Sequence, residues 1–256
     1  MCNNCGCNIT TGSRLLLKNG AIRAIRPLKP VAPRSIEVLQ NLLQDNDRQA
    51  EQNAALFNGQ GTVVFNLMSS PGSGKTALLE ATIERLMARG LNIGVIEGDL
   101  ETENDAVRLR KKGVPVVQIT TGMACHLDAS MIHSAYQQLA GTAMDILFIE
   151  NVGNLVCPAS FALGQHYDVV LLSVPEGDDK PEKYPVMFRL GDKILISKID
   201  LLPYFDDFSV ARVRDEISML ANHSEVLEVS SKTGQGMDSW LDWLAGAVAK
   251  ADKRAR

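Results

Sequence analysis

A short glycine-rich segment, Ser69-Ser70-Pro71-Gly72-Ser73-Gly74-Lys75-Thr76, constrains the fold of this chain more than any other feature. It directly follows an apolar run that predicts a strand and directly precedes a helical pattern, which is the context of a phosphate-binding loop. Small residues let consecutive backbone N–H groups turn inward around phosphate oxygens, and the following helix adds its positive N-terminus. The segment therefore predicts a strand–loop–helix unit that binds a nucleotide.

The residues of this loop have separate expected roles. The Lys75 ammonium is expected to lie against the β and γ phosphates and the Thr76 hydroxyl to bind Mg²⁺, which makes both residues catalytic candidates. Ser69 stands where the loop pattern has its first glycine. An alternative is a Gly/Ser-rich turn that binds nothing. The residues predicted to hold the nucleotide in this loop are Gly72, Ser73, Gly74, Lys75, Thr76 and Ala77.

The rest of the chain alternates β-rich runs with amphipathic segments, which predicts an α/β fold: a doubly wound, mostly parallel sheet with helices on both faces. The predicted strands are 62–68, 92–97, 114–119, 145–149, 168–174, 193–197 and 225–229. The predicted helices are 76–89, 102–112, 128–140, 210–221 and 237–249, preceded by one over 35–56 with Ser35 as its N-cap.

Composition narrows the class of protein further. The 256 residues are 45% hydrophobic and 22% charged, which suffices for a buried core and excludes general disorder. No apolar stretch approaches the roughly 20 residues that span a bilayer, and the polar N-terminus has no apolar signal segment, so we expect a soluble, cytoplasmic protein without a membrane partner. The formal net charge of −4 argues against nucleic acid as the main partner.

The strand predicted at 145–149 leads into a second part of the phosphate site. It delivers Glu150 and then Gly153 beside the expected position of the γ-phosphate. Glu150 takes the place of the aspartate that holds Mg²⁺ in many phosphate-binding-loop proteins. We therefore predict Glu150 as a Mg²⁺ ligand and a catalytic residue.

Two later segments indicate which base is bound. Ser197-Lys198-Ile199-Asp200 resembles the Asn-Lys-x-Asp guanine signature, with Ser197 in place of the asparagine. The Asp200 carboxylate can accept hydrogen bonds from guanine N1–H and the exocyclic N2–H₂, which adenine lacks, while the Lys198 stem can cover the base. The backbone amides of Ser231 and Lys232 match the remaining base-contact loop. This order of segments predicts GTP and GDP as ligands.

The cysteines predict metal binding. Five is an odd number, and Cys2, Cys5 and Cys7 crowd into the first seven residues, which favours metal ligation over disulfides in a reducing cytosol. These three thiolates with the terminal amine suit square-planar Ni²⁺ or tetrahedral Zn²⁺. Redox-labile terminal cysteines without function are the alternative.

A second candidate metal site consists of Cys125, His126 and Cys157. Read alone, a cysteine next to a histidine is also typical of a structural pair near a core. Cys157, however, follows Gly153 by four residues, so it emerges from the loop expected to contact the γ-phosphate. Two thiolates and one imidazole suit Zn²⁺ or Ni²⁺.

The N-terminal region predicts a separate segment. Residues 8–33 contain Pro27, Pro30 and Pro33 and have no sustained apolar period, which is typical of a tether. We therefore divide the chain into an N-terminal cysteine metal-binding segment with its tether, residues 1–33, and a G domain with its preceding helix, residues 34–256.

Several motifs together closely resemble the HypB family, the GTPases that insert nickel during maturation of nickel-iron hydrogenase. They are Cys-x-x-Cys-Gly-Cys at the N-terminus, the phosphate loop, Ile96-Glu97-Gly98-Asp99, Thr121-Gly122-Met123-Ala124-Cys125-His126 and Glu150-Asn151-Val152-Gly153-Asn154-Leu155-Val156-Cys157-Pro158.

The resemblance implies a SIMIBI-class G domain, slow GTP hydrolysis and nucleotide-dependent homodimers. It implies that Asp99 belongs to the switch near Mg²⁺, as a ligand and a catalytic residue beside Thr76 and Glu150. It also implies two protein partners, a zinc-bearing HypA-like nickel chaperone and the hydrogenase large subunit.

Two other functions are compatible with parts of the sequence. The chain could be a phosphate-loop ATPase or a small-molecule kinase whose cysteines are incidental. It could also be a metal buffer with a vestigial G domain. Nucleotide competition distinguishes an ATPase or kinase from a GTPase. Hydrolysis faster than that of a Lys75→Ala control distinguishes a GTPase from a metal buffer.

Overall fold

The computed structural model describes residues 14–16, 22–24, 33–99, 104–122 and 124–255, and the chain divides into two units, residues 1–45 and 46–256. In the first unit, strands β1 (Arg14–Leu16) and β2 (Ile22–Ala24) form an antiparallel pair. The sequence predicted only a tether here, because strands of three residues are too short to produce an apolar period. The predicted division at residue 33 stays a prediction.

The second unit contains a seven-stranded sheet in which every neighbouring pair is parallel. Its spatial order is β5-β4-β6-β3-β7-β8-β9. All seven predicted strands are present, with ends shifted by at most two residues. The strands are β3 (Val63–Ser69), β4 (Ile93–Asp99), β5 (Val116–Thr120), β6 (Ile146–Glu150), β7 (Tyr167–Ser173), β8 (Lys193–Ser197) and β9 (Val226–Val229).

The predicted helices are also found, together with two short ones. The helices are α1 (Pro33–Gly59), α2 (Lys75–Ala88), α3 (Asn104–Arg110), α4 (Ala129–Gln138), α5 (Lys180–Lys183), α6 (Pro185–Leu190), α7 (Val210–Met219) and α8 (Met237–Ala255). The prediction of Ser35 as N-cap is wrong, because α1 begins at Pro33, a residue type that the first turn accepts readily. Helices α5 and α6 were not predicted, because they are too short to show a helical period of apolar residues.

Alternate residues of the central strand β3 face opposite sides of the sheet. Val63, Phe65 and Leu67 pack with residues of α2, α3 and α8. Val64 packs with residues of α1 and α4, and Met68 with residues of α6 and α7. Helices therefore cover both faces of the sheet, and each fully buried apolar side chain of this kind stabilises the fold by about 1.5–3 kcal/mol. The predicted doubly wound α/β fold is confirmed.

The sheet places its ligand-binding edge at the carboxyl ends of the strands. Strand β3 lies between β6 and β7, so the chain winds in one direction through β4 and in the other through β7. Parallel α/β sheets bind ligands at such a switch point. The predicted nucleotide residues lie at the carboxyl ends of β4 and β6 and after the ends of β3, β8 and β9. No helix among the described residues has both the length and the apolarity to cross a bilayer.

Candidate nucleotide and metal sites

The phosphate-binding loop joins β3 to α2. Gly72 has φ 76° and Gly74 has φ 99°, both in the left-handed region that favours glycine. Gly74 is the residue before the first turn of α2, and no side chain caps that helix end. The backbone N–H groups of the first turn of a helix have no partner within the helix, so this end of α2 suits an anion.

Ser69, which replaces the first glycine of the loop pattern, is bonded to the lysine of the loop. The Lys75 ammonium donates to the Ser69 hydroxyl oxygen at 2.8 Å, and the Ser73 hydroxyl donates to the same oxygen. Lys75 is 8% exposed, and its burial lowers the pKa of the ammonium group. Ser69 therefore holds Lys75 in place beneath the loop.

The predicted Mg²⁺ ligands lie around one cavity of about 380 Å³. The Thr76 hydroxyl donates to Glu150 Oε1 at 2.7 Å, and Asp99 lines the same cavity. Burial raises the pKa of Glu150 to about 7. Among the described residues, Glu150 Oε2 has no hydrogen-bond partner. A buried oxygen of this kind beside a hydroxyl and a second carboxylate fits the oxygen ligands that Mg²⁺ prefers.

Three further charged residues line this cavity: Glu97, Asp105 and Arg108. The sequence analysis did not select them as site residues. Burial, followed by repulsion from Glu150 and Asp99, raises the pKa of Glu97 to about 8. The Arg108 guanidinium donates to Asp105 at 2.9 Å and to Glu80 at 2.6 Å. Strand alternation was the available signal for Glu97, because residues two apart share one face of a strand.

The loop after β6 packs directly on the phosphate loop. A Cβ atom at Gly153 would lie 2.9 Å from both the backbone N and the Cα of Pro71, closer than any larger residue tolerates without displacement. Gly153 therefore permits the close approach that brings the loop after Glu150 beside the phosphate site.

The predicted base-contact residues lie on the loops after β8 and β9. Lys198 has φ 58°, and its ammonium donates to the Gly72 carbonyl oxygen at 2.6 Å. The Ser197 hydroxyl donates to the Ser73 carbonyl oxygen at 2.7 Å. Ser197, which stands where the guanine signature has asparagine, is thus hydrogen-bonded to the phosphate loop.

Asp200 meets the loop after β9. Its Oδ1 accepts a hydrogen bond from the Ser230 hydroxyl at 2.7 Å, and its Oδ2 lies 3.9 Å from the Lys232 ammonium. Ser231 lies between these two residues in the loop after β9. The structure therefore brings together the segments that the sequence assigned to the base.

The three residues of the second candidate metal site also come together. Cys125 and His126 lie between β5 and α4, and Cys157 begins a short 3-10 helix. Their ligand atoms all lie within 4.8 Å of one another. Cys125 and Cys157 do not form a disulfide, because their Sγ atoms lie 2.8 Å apart, which is longer than the roughly 2.05 Å of a disulfide bond.

His126 is suited to act as a ligand in this cluster. Its ring stacks on Phe161 with centroids 3.9 Å apart, and its Nδ1 lies 3.9 Å from Cys125 Sγ. Burial lowers the pKa of His126, so the ring stays neutral at physiological pH, and the neutral imidazole is the form that binds metals. Two thiols and one imidazole are the donors that Ni²⁺ or Zn²⁺ accepts.

Asparagine side chains connect the two sites. Asn151 follows Glu150 directly, and its Oδ1 accepts hydrogen bonds from the N–H groups of Leu127 at 3.3 Å and Val152 at 2.9 Å. The Asn154 amide donates to the Cys125 carbonyl oxygen at 3.4 Å. The loop that leaves the nucleotide cavity is therefore bonded to the loop that carries Cys125 and His126. The terminal candidates Cys2, Cys5 and Cys7 lie outside the described residues.

Comparisons with known proteins identify the family of this chain. Residues 63–228 match the model of the CobW/HypB/UreG nucleotide-binding domain. Hydrogenase maturation factor HypB of Azotobacter chroococcum is 47% identical over 236 residues, which cover 92% of this chain and 76% of that protein. HypB of Escherichia coli K12 is 49% identical over 211 residues, covering 82% and 72%.

A solved structure is similar to this chain as well. The crystal structure of HypB from Helicobacter pylori in complex with nickel has a TM-score of 0.77 and 44% identity, covering 80% of this chain and 96% of that one. The chain therefore belongs to the CobW/HypB/UreG family of nucleotide-binding proteins, within its HypB group, as its sequence motifs predicted.

Proposed function

We propose that this protein is a GTP-hydrolysing nickel metallochaperone that assists the insertion of nickel into the large subunit of a nickel-iron hydrogenase. The observation that carries this proposal is the continuous loop from Glu150 in the nucleotide cavity to Cys157 in the thiol–imidazole cluster. The names of the relatives, hydrogenase maturation factors, support the target, and the nickel in the Helicobacter pylori structure supports the cargo.

Hydrolysis would use the residues that line the cavity. The Lys75 ammonium would exchange its bond to Ser69 for the β and γ phosphate oxygens. Thr76, Asp99 and Glu150 would hold Mg²⁺, which when bound neutralises charge on the phosphates. Gly72, Ser73, Gly74 and Ala77 would supply backbone N–H groups to the phosphates. Positioning and charge stabilisation account for most of the catalysis of phosphoryl transfer, so we expect these residues to support slow turnover.

Guanine selectivity would depend on the Asp200 carboxylate. In Asp200→Asn, the amide donates where the carboxylate accepted, so we expect GTP to bind about 10- to 100-fold more weakly, the usual range for losing a charged hydrogen bond. Xanthosine triphosphate should gain affinity, because it carries an oxygen where guanine has the N2–H₂ group. Competition against a fluorescent guanine nucleotide measures both effects, and unchanged GTP preference would place the base elsewhere.

The same assay tests the choice of nucleotide for the wild-type protein. GDP should displace the fluorescent guanine nucleotide and ADP should not. Displacement by ADP with similar affinity would favour an ATPase or kinase. Hydrolysis no faster than that of a Lys75→Ala control would favour a metal buffer.

Nickel would occupy two sites. The terminal site would consist of Cys2, Cys5 and Cys7. The site in the G domain would consist of Cys125, His126 and Cys157, and Zn²⁺ is a second candidate metal there. Three ligands per chain leave a four-coordinate metal incomplete, and a partner subunit of a nucleotide-dependent homodimer would complete it. A HypA-like nickel chaperone and the hydrogenase large subunit are the proposed partners in the cytoplasm.

Deletion of residues 2–7 is expected to remove one tight nickel site per chain and to leave GTP hydrolysis close to unchanged. None of these residues has a group suited to the phosphates. Equilibrium dialysis with nickel and a phosphate-release assay measure the two effects. A triple Cys2/Cys5/Cys7→Ser variant distinguishes loss of sulfur from loss of chain length. Full nickel stoichiometry in both variants would contradict the terminal site.

A further inference from the structure

Two buried glutamates lie side by side on the floor of the nucleotide cavity. Strands β4 and β6 pair in parallel with Glu97 opposite Glu150. Paired positions on neighbouring strands point to the same face, about 4.8 Å apart. Glu97 is 2% exposed and Glu150 is 4% exposed. Asp99 follows Glu97 by two residues and therefore shares this face. Three carboxylates converge at one end of the cavity.

Each glutamate keeps one oxygen atom available for a ligand. Within the part of the chain that the structure describes, Glu97 Oε2 and Glu150 Oε2 have no hydrogen-bond partner. No ion pair joins either glutamate to a described lysine or arginine: the Lys75 ammonium donates to Ser69, and Arg108 pairs with Asp105 and Glu80. A bound cation can supply the partner that a buried carboxyl group without an ion pair lacks.

We propose that Glu97, Asp99 and Glu150 form a site for a hard divalent cation, Mg²⁺ in the cell, that is occupied before the nucleotide binds. Mg²⁺ prefers carboxylate and water oxygens, and nucleotide enzymes usually hold it with one or two carboxylates plus substrate phosphates. Glu97 adds a third carboxylate, so the protein needs no phosphate to hold the ion. This inference rests on the proposed function only for the identity of the cavity as a nucleotide site.

The proposed order of binding follows from charge. A divalent cation bound among these carboxyl groups adds positive charge to the cavity, and positive charge there attracts the phosphates of a nucleotide. The metal-loaded protein should therefore bind GTP or GDP more tightly than the metal-free protein. The cation should also remain on the protein when the nucleotide leaves.

The test uses Mn²⁺ as a probe with the nucleotide-free, full-length protein. Electron paramagnetic resonance reports free Mn²⁺, and competition with Mg²⁺ identifies sites made of oxygen ligands, because thiolates select softer metals. We expect one Mg²⁺-displaceable Mn²⁺ per wild-type chain. Glu97→Gln, which keeps the shape and replaces one carboxyl oxygen with an amide nitrogen that cannot bind a cation, should bind it about 10- to 100-fold more weakly, the range found for disturbed metal environments.

Glu176→Gln is the matched control. Among the described residues, Glu176 Oε1 is also buried without a hydrogen-bond partner, but Glu176 follows β7 and does not line the nucleotide cavity. This variant should keep wild-type Mn²⁺ affinity. An affinity that falls equally in both variants would overturn the assignment of Glu97.

Two other results would overturn the proposal: no Mg²⁺-displaceable Mn²⁺ on the wild-type protein without nucleotide, or unchanged affinity in Glu97→Gln. The wild-type titration keeps the proposal testable even if the variant fails to fold. GDP affinity, measured both with Mg²⁺ and in EDTA, separates this inference from the proposed function. GDP binding without the Mn²⁺ site contradicts only this inference, whereas the Mn²⁺ site without GDP binding contradicts only the proposed function.

Discussion

Lys75→Ala is expected to lower GTP hydrolysis by at least about 10²- to 10³-fold, or roughly 2.7–4 kcal/mol of transition-state stabilisation, and to weaken nucleotide binding strongly. Lys75 is the cation that the phosphate loop itself supplies, and it lies beneath the loop on Ser69. A charge held in place within a buried cavity needs little reorganisation when the phosphates bind, which is why its removal should cost so much.

The fold of this variant should survive the substitution. Burial already lowers the pKa of Lys75, so the charged group gains little stability from its surroundings. Thermal melting checks the fold, and a phosphate-release assay with a fluorescent nucleotide titration measures function. Lys112→Ala is the matched control, because Lys112 pairs with Glu84 on the surface away from the cavity. Turnover near the wild-type rate in Lys75→Ala would contradict the assignment of the phosphate site.

Cys157→Ala, made in a protein that lacks residues 2–7, is expected to lower nickel affinity at least about 100-fold, because the site would lose one of its three proposed protein ligands. Cys157 lies 2.8 Å from Cys125 through their sulfur atoms, so its removal breaks the cluster directly. Nickel titration with a competing chelator measures the loss. Cys157→Ser should behave similarly, since oxygen is a harder ligand than sulfur.

Val156→Ala is the control for the same loop. Val156 is 54% exposed and offers no ligand atom, so its truncation should leave nickel affinity unchanged. Equal losses in Val156→Ala and Cys157→Ala would assign the effect to loop structure. Wild-type affinity in Cys157→Ala would remove Cys157 from the ligand set.

Nickel affinity at this site should also depend on the nucleotide. Gly153 packs on Pro71 of the phosphate loop, and Asn151 and Asn154 are bonded to the loop of Cys125 and His126. A γ-phosphate that shifts the loop after Glu150 should therefore move metal ligands. Such couplings are typically about 1–3 kcal/mol, and by linkage the nucleotide that favours nickel is itself favoured by nickel. Titrations with GDP and with a non-hydrolysable GTP analogue measure the difference, and equal affinities would make the cluster a static site.

The fold was predictable because its local signals agree with one another. Seven apolar runs, helical periods and a glycine-rich loop at a strand–helix junction all point to one doubly wound sheet, and all seven strands are present. Agreement of local preferences with the whole fold is what lets a sequence specify a structure. Elements without such signals were missed: strands β1 and β2, helices α5 and α6, and the true start of α1 at Pro33.

The sequence alone predicted the residues of the phosphate loop, the base-contact segments and the three candidate ligands of the second metal site, because short motifs in the chain mark them. The tertiary structure decided what lies between these motifs. Glu97 meets Glu150 only through the register of β4 and β6, and Asn151 reaches Leu127 only across the sheet. Such contacts join residues distant in sequence, so they depend on strand order and packing, which local periodicity does not contain.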